Sequence, residues 1–235
     1  MTETTNASKQ YYPVFRVSNV FKQLKSLKTP NNSAISHIFY KIFDCKSQKQ
    51  FLFCQMLFDK ELELMKECYP NKENGDKFYQ ALHSDFLAIS NGGASSLPGY
   101  DRVASNIAAF LDSVDFNEAE QRIEIGKLQE DLNKIIERQK ALLNDGKNPD
   151  GINKKLVLYA IDCLENVNLI LKNFDKISIE FTVEEIAPLI LMKHIRKDKD
   201  ARQLFQDLLT YMSKKGGEYA ISGIIGGLAS KAIGL

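Results

Sequence analysis

The feature that most constrains the fold is a pair of long amphipathic patterns between Asn117 and Lys176. In each pattern, apolar residues recur at alternating steps of three and four, which places them on one side of an α-helix. Turn-forming residues at 144–151 separate the two patterns. Two similar stripes joined by a short break predict an antiparallel helical hairpin with coiled-coil character. The stripes consist of Ile125, Leu128, Leu132, Ile135, Gln139 and Leu142, and of Val157, Ile161, Leu164, Asn168, Leu171 and Phe174.

Two polar residues interrupt these stripes. Gln139 and Asn168 occupy positions where leucine is expected. Polar residues at such positions fix register or oligomeric state at some loss of stability. We therefore predict that both residues set the register of the hairpin, whether they face each other or a third helix.

Helical periodicity before and after the hairpin predicts an all-α protein: a helical bundle with a long antiparallel hairpin and a Gly-rich C-terminal helix. Residues 1–91 are expected to form an N-terminal helical bundle. The Gly/Ser/Pro-rich stretch 92–99 is a predicted linker. Residues 100–215 then form the hairpin unit, and residues 216–235 form an amphipathic tail.

Basic residues are concentrated near the N-terminus. Eight of the 31 Lys and Arg residues, but only two of the 30 acidic residues, fall within residues 1–50. The first helix is expected to carry a basic surface that docks on the acidic remainder of the chain or on an anionic partner. No long stripe of cations with interleaved aromatics is present, so nucleic acid is a disfavoured partner. The predicted basic surface consists of Arg16, Lys22, Lys25 and Lys28.

The tail is unusual because it combines many glycines with one charged residue after Tyr219, Lys231. Glycine disfavours an isolated helix in water, so the tail needs a stabilising surface. That surface could be the rest of this chain, a second copy of it, or a membrane. At 17 residues from Tyr219 the helix would be about 25 Å long, too short for a simple span. The predicted membrane or assembly residues are Ile221, Gly223, Ile224, Ile225, Gly227, Leu228 and Lys231.

After the hairpin, residues 177–181 are expected to be an extended connector. Thr182 and Glu185 have capping-box spacing, which predicts the start of a helix through Met192. The cations at 193–197 suit the C-terminal end of that helix.

No catalytic motif is evident, so the chain is predicted not to be an enzyme. The three histidines have neither zinc-protease nor zinc-finger spacing, and no cofactor, metal or small-molecule substrate is indicated. Glu61, Glu63 and Glu67 are interpreted as a solvated acidic face. The four cysteines form no C-x-x-C pair and no secretory signal pattern is present, which favours reduced thiols in the cytoplasm.

Two functions fit these features. The first is a non-enzymatic protein whose tail engages a membrane or self-assembles, such as a membrane-perturbing effector of bacterial conflict or phage defence. This protein would be cytoplasmic or peripheral at the inner face of the membrane. The second is a helical adaptor or regulator that binds a partner protein through the hairpin at 117–176 or through the basic first helix.

Overall fold

A computed structural model describes residues 12–26, 40–68, 73, 76–77, 79–80, 83, 118–144 and 153–214 of the chain. Regular structure in these ranges is helical, with no β-strand among them, so the predicted all-α class is confirmed. The helices are α1 (Tyr12–Ser26), α2 (Gln48–Cys68), α3 (Glu118–Asn144), α4 (Lys154–Lys172), α5 (Thr182–Leu191), α6 (Lys193–Lys197) and α7 (Lys199–Lys214), with a 3₁₀ helix at Ile179–Phe181.

The chain divides into two compact units. The first contains Met1–Phe116 together with Asn173–Ser178, and the second contains Asn117–Lys172 together with Ile179–Leu235. The predicted linker and the predicted tail lie outside the described residues, so the domain boundaries drawn there stay predictions.

In the first unit, α1 packs on α2 around a cluster of aromatic rings. Phe58 of α2 is fully buried, and its ring centroid lies 6.0 Å from that of Phe21 and 5.8 Å from that of Phe43. Both ring pairs are tilted, which is a favoured arrangement for aromatic quadrupoles. The helical spacing of Val17, Val20 and Phe21 places these buried residues on the same face of α1.

An ion pair lies inside this unit. Arg16 Nε is 2.9 Å from Glu61 Oε2, and the two side chains are 5% and 0% exposed. The backbone N–H of Ser178 donates a hydrogen bond to the other carboxylate oxygen of Glu61. Two predictions are therefore wrong: Arg16 is not part of a basic surface, and Glu61 is not part of a solvated face. The reason is that Arg16 lies four residues before Val20 on the buried face of α1, and a buried carboxylate needs a cation and hydrogen-bond donors.

The segment Asn173–Ser178 belongs to the first unit although it follows α4 directly. Asn173 Nδ2 donates to the Phe43 carbonyl oxygen at 3.0 Å, and Asn19 Nδ2 donates to the Asp175 carbonyl oxygen at 3.0 Å. The second hairpin stripe predicts a helix through Phe174, whereas α4 ends at Lys172. These long-range hydrogen bonds stabilise a turn in place of the last helical turn.

In the second unit, α3 and α4 pack against each other in opposite directions. Asn168 Nδ2 donates to Asn133 Oδ1 at 3.0 Å, and Lys140 Nζ lies 3.2 Å from Glu165 Oε1. Asn168 therefore pairs with Asn133 across the two helices, and not with Gln139.

Two further helices extend this bundle. Asn166, near the end of α4, donates to Glu185 in the first turn of α5 at 3.0 Å. Arg138, near the end of α3, lies 3.2 Å from Asp198, which immediately precedes α7. Each helix thus runs antiparallel to its partner. As a result, α3 and α5 end, and α4 and α7 begin, at the same end of the second unit.

The start of α5 differs from the sequence prediction. Residues 179–181 form a 3₁₀ helix that runs directly into α5, so Phe181 already has helical dihedral angles (φ −64°, ψ −16°). The helix has no side-chain cap, and the hydroxyl of Thr182 instead donates to the Ile179 carbonyl oxygen at 2.7 Å. The predictions of a capping box and of an extended connector are therefore wrong. Met192, with extended dihedral angles, separates α5 from α6.

Candidate interaction surface

One end of the second unit exposes a group of large apolar side chains. Helices rise about 1.5 Å per residue, so Leu191, six residues after Glu185, lies about 9 Å from the Asn166–Glu185 hydrogen bond along α5. That distance brings Leu191 level with the first two turns of α4. The exposed apolar residues at this end are 36–69% exposed and comprise Leu142, Leu156, Leu158, Tyr159 and Leu191. Large exposed apolar surfaces mark sites of interaction with proteins or membranes, so this end is a candidate interaction surface.

Basic side chains lie at the same end of the second unit. The first turn of α4 and the residues of α6 and early α7 supply them, and all are exposed. Ile195 is buried, and α6 contacts both α5 and α7, so the cations of α6 lie on its outward side. The basic residues are Lys154, Lys155, Lys193, Arg196, Lys197 and Lys199. We call these six residues and the five apolar ones the basic end.

Two carboxylates at this end are engaged within the protein. Asp198 Oδ1 lies 3.2 Å from Arg138 Nη2 and also accepts the backbone N–H groups of Asp200 and Ala201, at 3.0 and 3.1 Å. Asp200 forms a second ion pair with Arg138. Since Arg138 offsets these acids locally, the exposed charge of the basic end is dominated by its lysines and arginine.

Tyr159 contributes an aromatic ring to the basic end. Its hydroxyl group hydrogen-bonds the Cys163 thiol, and this contact raises the pKa of Tyr159. Burial raises the pKa of Cys163, so its sulfur is held as a neutral thiol. A cysteine nucleophile requires the thiolate. The raised pKa therefore disfavours the thiolate form of Cys163 at neutral pH.

A cleft of about 240 Å³ lies between α3 and α7, and several of its polar groups bond to one another. Lys134 Nζ lies 2.8 Å from Asp131 Oδ1, and Gln203 Nε2 donates to Asp207 Oδ1 at 2.9 Å. Polar groups that line this cleft are therefore paired locally within or between the two helices. Over the described ranges, no group of three or more His, Cys, Asp or Glu residues is placed to hold a metal ion. The helices in those same ranges include none with the length and hydropathy needed to cross a membrane.

The predicted site residues have different outcomes. Lys22 is exposed, while Lys28 and the side chain of Lys25 lie outside the described part of the chain, as does the whole set of tail residues. Gln139 is 3% exposed, and no donor among the described residues lies within hydrogen-bonding distance of its Oε1.

The basic end is not among the sites predicted from the sequence, although two signals of it are present. Residues 154–159 read Lys-Lys-Leu-Val-Leu-Tyr, which contains more apolar residues than a single stripe needs. The cations at 193–197 suit the dipole of one long helix, whereas in the structure they form a separate short helix.

Comparison of the chain with protein-family models, curated proteins and solved structures finds no match.

Proposed function

We propose that this chain is a non-enzymatic, all-α protein that binds the surface of an anionic membrane. The observation that carries the proposal is the basic end, where exposed apolar side chains and exposed cations occur at the same end of the second unit. Leu158 and Leu191 enter the headgroup region in this proposal, while lysines such as Lys154 and Lys193 contact anionic headgroups. Surfaces that combine both contacts bind peripherally to membranes.

The Gly-rich tail supplies a second membrane contact in this proposal. Its isoleucines share one helical face, and Lys231 is the single cation beyond Tyr219. Gly223 and Gly227 have the spacing that permits close contact between helices, so two copies could assemble once bound. A protein with these properties fits the role of a membrane-perturbing effector in bacterial conflict or phage defence.

The test is co-sedimentation of the full-length protein with liposomes of neutral or anionic composition. Each lysine near an anionic surface contributes about 1 kcal/mol, so the pair Lys154→Gln and Lys193→Gln should weaken binding roughly 30-fold. Leu158→Ser with Leu191→Ser should weaken binding to both lipid compositions, because it removes the inserted apolar area.

A matched control is Leu52→Ser with Met56→Ser, which removes two exposed apolar side chains from α2 of the first unit. This control should pellet like the unaltered protein. A chain ending at residue 215 lacks the tail. If this chain still binds liposomes, the basic end makes the membrane contact; if binding is lost, the tail makes it. Full-length protein that stays in the supernatant with anionic liposomes refutes the proposal.

The alternative function is an adaptor that binds an acidic protein segment through the hairpin. Leu158 and Tyr159 favour it, because both are exposed on α4 within the hairpin. The basic first helix is the weaker candidate, because its Arg16 is buried. An adaptor should form a stable complex in lipid-free extract and should lose it in the Leu158→Ser variant.

A further inference from the structure

Two cysteines of the first unit lie next to each other in space. Cys54 is on α2 and is 0% exposed, whereas Cys45 lies in the turn before α2 and is partly exposed. Both are free thiols, and their sulfur atoms hydrogen-bond each other. One thiol is thus within reach of solvent, and a second, buried thiol is in contact with it.

The turn that carries Cys45 is held against α2. Its backbone N–H donates to the Tyr40 carbonyl oxygen at 2.9 Å, and Asp44 before it has a positive φ of 50°. The Tyr40 ring stacks on Phe51 of α2, with centroids 4.6 Å apart and planes 13° from parallel. The Cys45 thiol also lies 3.9 Å from the Phe43 carbonyl oxygen. Phe51 and Cys54 are three residues apart and both buried, so the stacked Tyr40 holds this turn on the face of α2 that carries Cys54.

The hydrogen bond between the thiols gives them different chemistry. It lowers the pKa of Cys45, because the neighbouring thiol can donate to a thiolate at that position. The same bond, together with burial, raises the pKa of Cys54. Thiolates are the form that peroxides oxidise, so Cys45 is suited to react first.

We propose that Cys45 and Cys54 form an oxidisable dithiol site, in which a hydroperoxide such as hydrogen peroxide converts the two thiols into an intramolecular disulfide. This site is independent of the membrane-binding function, since it uses residues of the first unit alone.

The reaction has two balanced steps. The Cys45 thiolate attacks one peroxide oxygen, the O–O bond breaks, and Cys45 becomes a sulfenic acid as hydroxide leaves. The Cys54 thiol then transfers its proton to the sulfenic oxygen as its sulfur attacks the Cys45 sulfur, and the S–O bond breaks. The proton of Cys54 and the departing hydroxyl group leave as water. Overall, two thiols lose two electrons and two protons, and one peroxide is reduced to two waters.

The test treats the full-length protein with hydrogen peroxide, blocks remaining thiols with an alkylating reagent, and maps linked peptides by mass spectrometry without reduction. We expect a peptide pair joined through Cys45 and Cys54. We also expect Cys45 to react at least about tenfold faster than the buried Cys163, in line with its greater thiolate content. The proposal is overturned if Cys45 reacts no faster than Cys163, or if its oxidation leaves Cys54 unlinked.

Two variants at one position separate the roles of Cys54. Cys54→Ser keeps a hydrogen-bond donor but removes the resolving sulfur, so a sulfenic acid on Cys45 should persist and be trapped by dimedone. Cys54→Ala also removes the donor, so Cys45 should react more slowly than in Cys54→Ser. Equal rates in the two variants would refute activation by the thiol contact. Cys163→Ser is the control and should leave the disulfide yield unchanged.

Discussion

The Arg16–Glu61 ion pair allows a test that distinguishes a buried Arg16 from an arginine on a basic surface. Replacing Arg16 with Met removes the guanidinium that lies 2.9 Å from the carboxylate of Glu61, which is 0% exposed. Breaking a buried ion pair from one side costs about 3–5 kcal/mol, because the remaining charge stays desolvated. A solvated arginine on an exposed face would change stability by no more than about 0.5 kcal/mol. The expected loss of unfolding free energy is thus several times larger for a buried Arg16 than for an arginine on the surface.

A second substitution tests the cause of that loss. Glu61→Gln removes the charge but keeps an oxygen that can accept the Ser178 N–H group. If the stranded charge is responsible, the double variant Arg16→Met with Glu61→Gln should be more stable than Arg16→Met alone. Lys22→Met is the matched control, since Lys22 is an exposed cation on the same helix.

The measurement is urea unfolding, followed by hydrogen exchange of peptides from α1 and α2. Local probes are needed because a chain with two compact units need not unfold in one transition. Arg16→Met should lower the midpoint of the α1 and α2 peptides, and Lys22→Met should not. The reasoning is refuted if these two variants behave alike, or if the double variant is no more stable than Arg16→Met.

Three further predictions concern the second unit. Gly126 lies in the interior of α3, and an added Cβ would meet nothing within 4 Å, so Gly126→Ala should raise stability in urea by about 1 kcal/mol. Burial lowers the pKa of His194, so the folded state binds the His194 proton less readily than the unfolded state does. The stability present at neutral pH should therefore fall as the pH drops through and below the ordinary histidine pKa of about 6.5. Thermal melts between neutral pH and about pH 5 should show this decline, and it should be smaller in His194→Gln. Asp198→Ala should destabilise α7 by about 1 kcal/mol in urea because two backbone N–H groups lose their cap, whereas Asp198→Asn should retain most of the stability.

Local periodicity predicts the burial of residues that lie on one face of a single helix. Ile125, Leu128, Leu132 and Ile135 are buried as the three-and-four spacing predicts, because that spacing depends only on the geometry of one helix. The same reasoning extends α4 too far. Nothing in the stripe around Phe174 indicates that Asn173 will bond to a carbonyl oxygen 130 residues earlier in the chain.

The candidate sites depend on contacts between residues that are distant in sequence, and a single sequence does not show such contacts. Arg16 and Glu61 are 45 residues apart, and each alone resembles a surface charge. Cys45 and Cys54 have no recognised motif spacing, yet the turn before α2 places their thiols in contact. The basic end combines residues from five helices, so its charge becomes evident only when the helix directions are known.

The predicted role of the two mid-stripe polar residues can now be tested separately. Gln139 Oε1 is buried without a donor among the described residues, and an unsatisfied acceptor costs about 1–3 kcal/mol, so Gln139→Leu should stabilise the protein. Asn168 Oδ1 is also buried without such a donor, but Asn168 Nδ2 bonds to Asn133 on α3, which makes Asn168 the better candidate for setting register. Lys140 Nζ lies 3.2 Å from Glu165 Oε1, so a zero-length carbodiimide crosslink between them reports the register of α3 against α4. We expect Asn168→Leu to lower the yield of this crosslink and Gln139→Leu to leave it unchanged. If neither variant changes the yield, the apolar stripes alone set the register, and the role assigned to Asn168 is wrong.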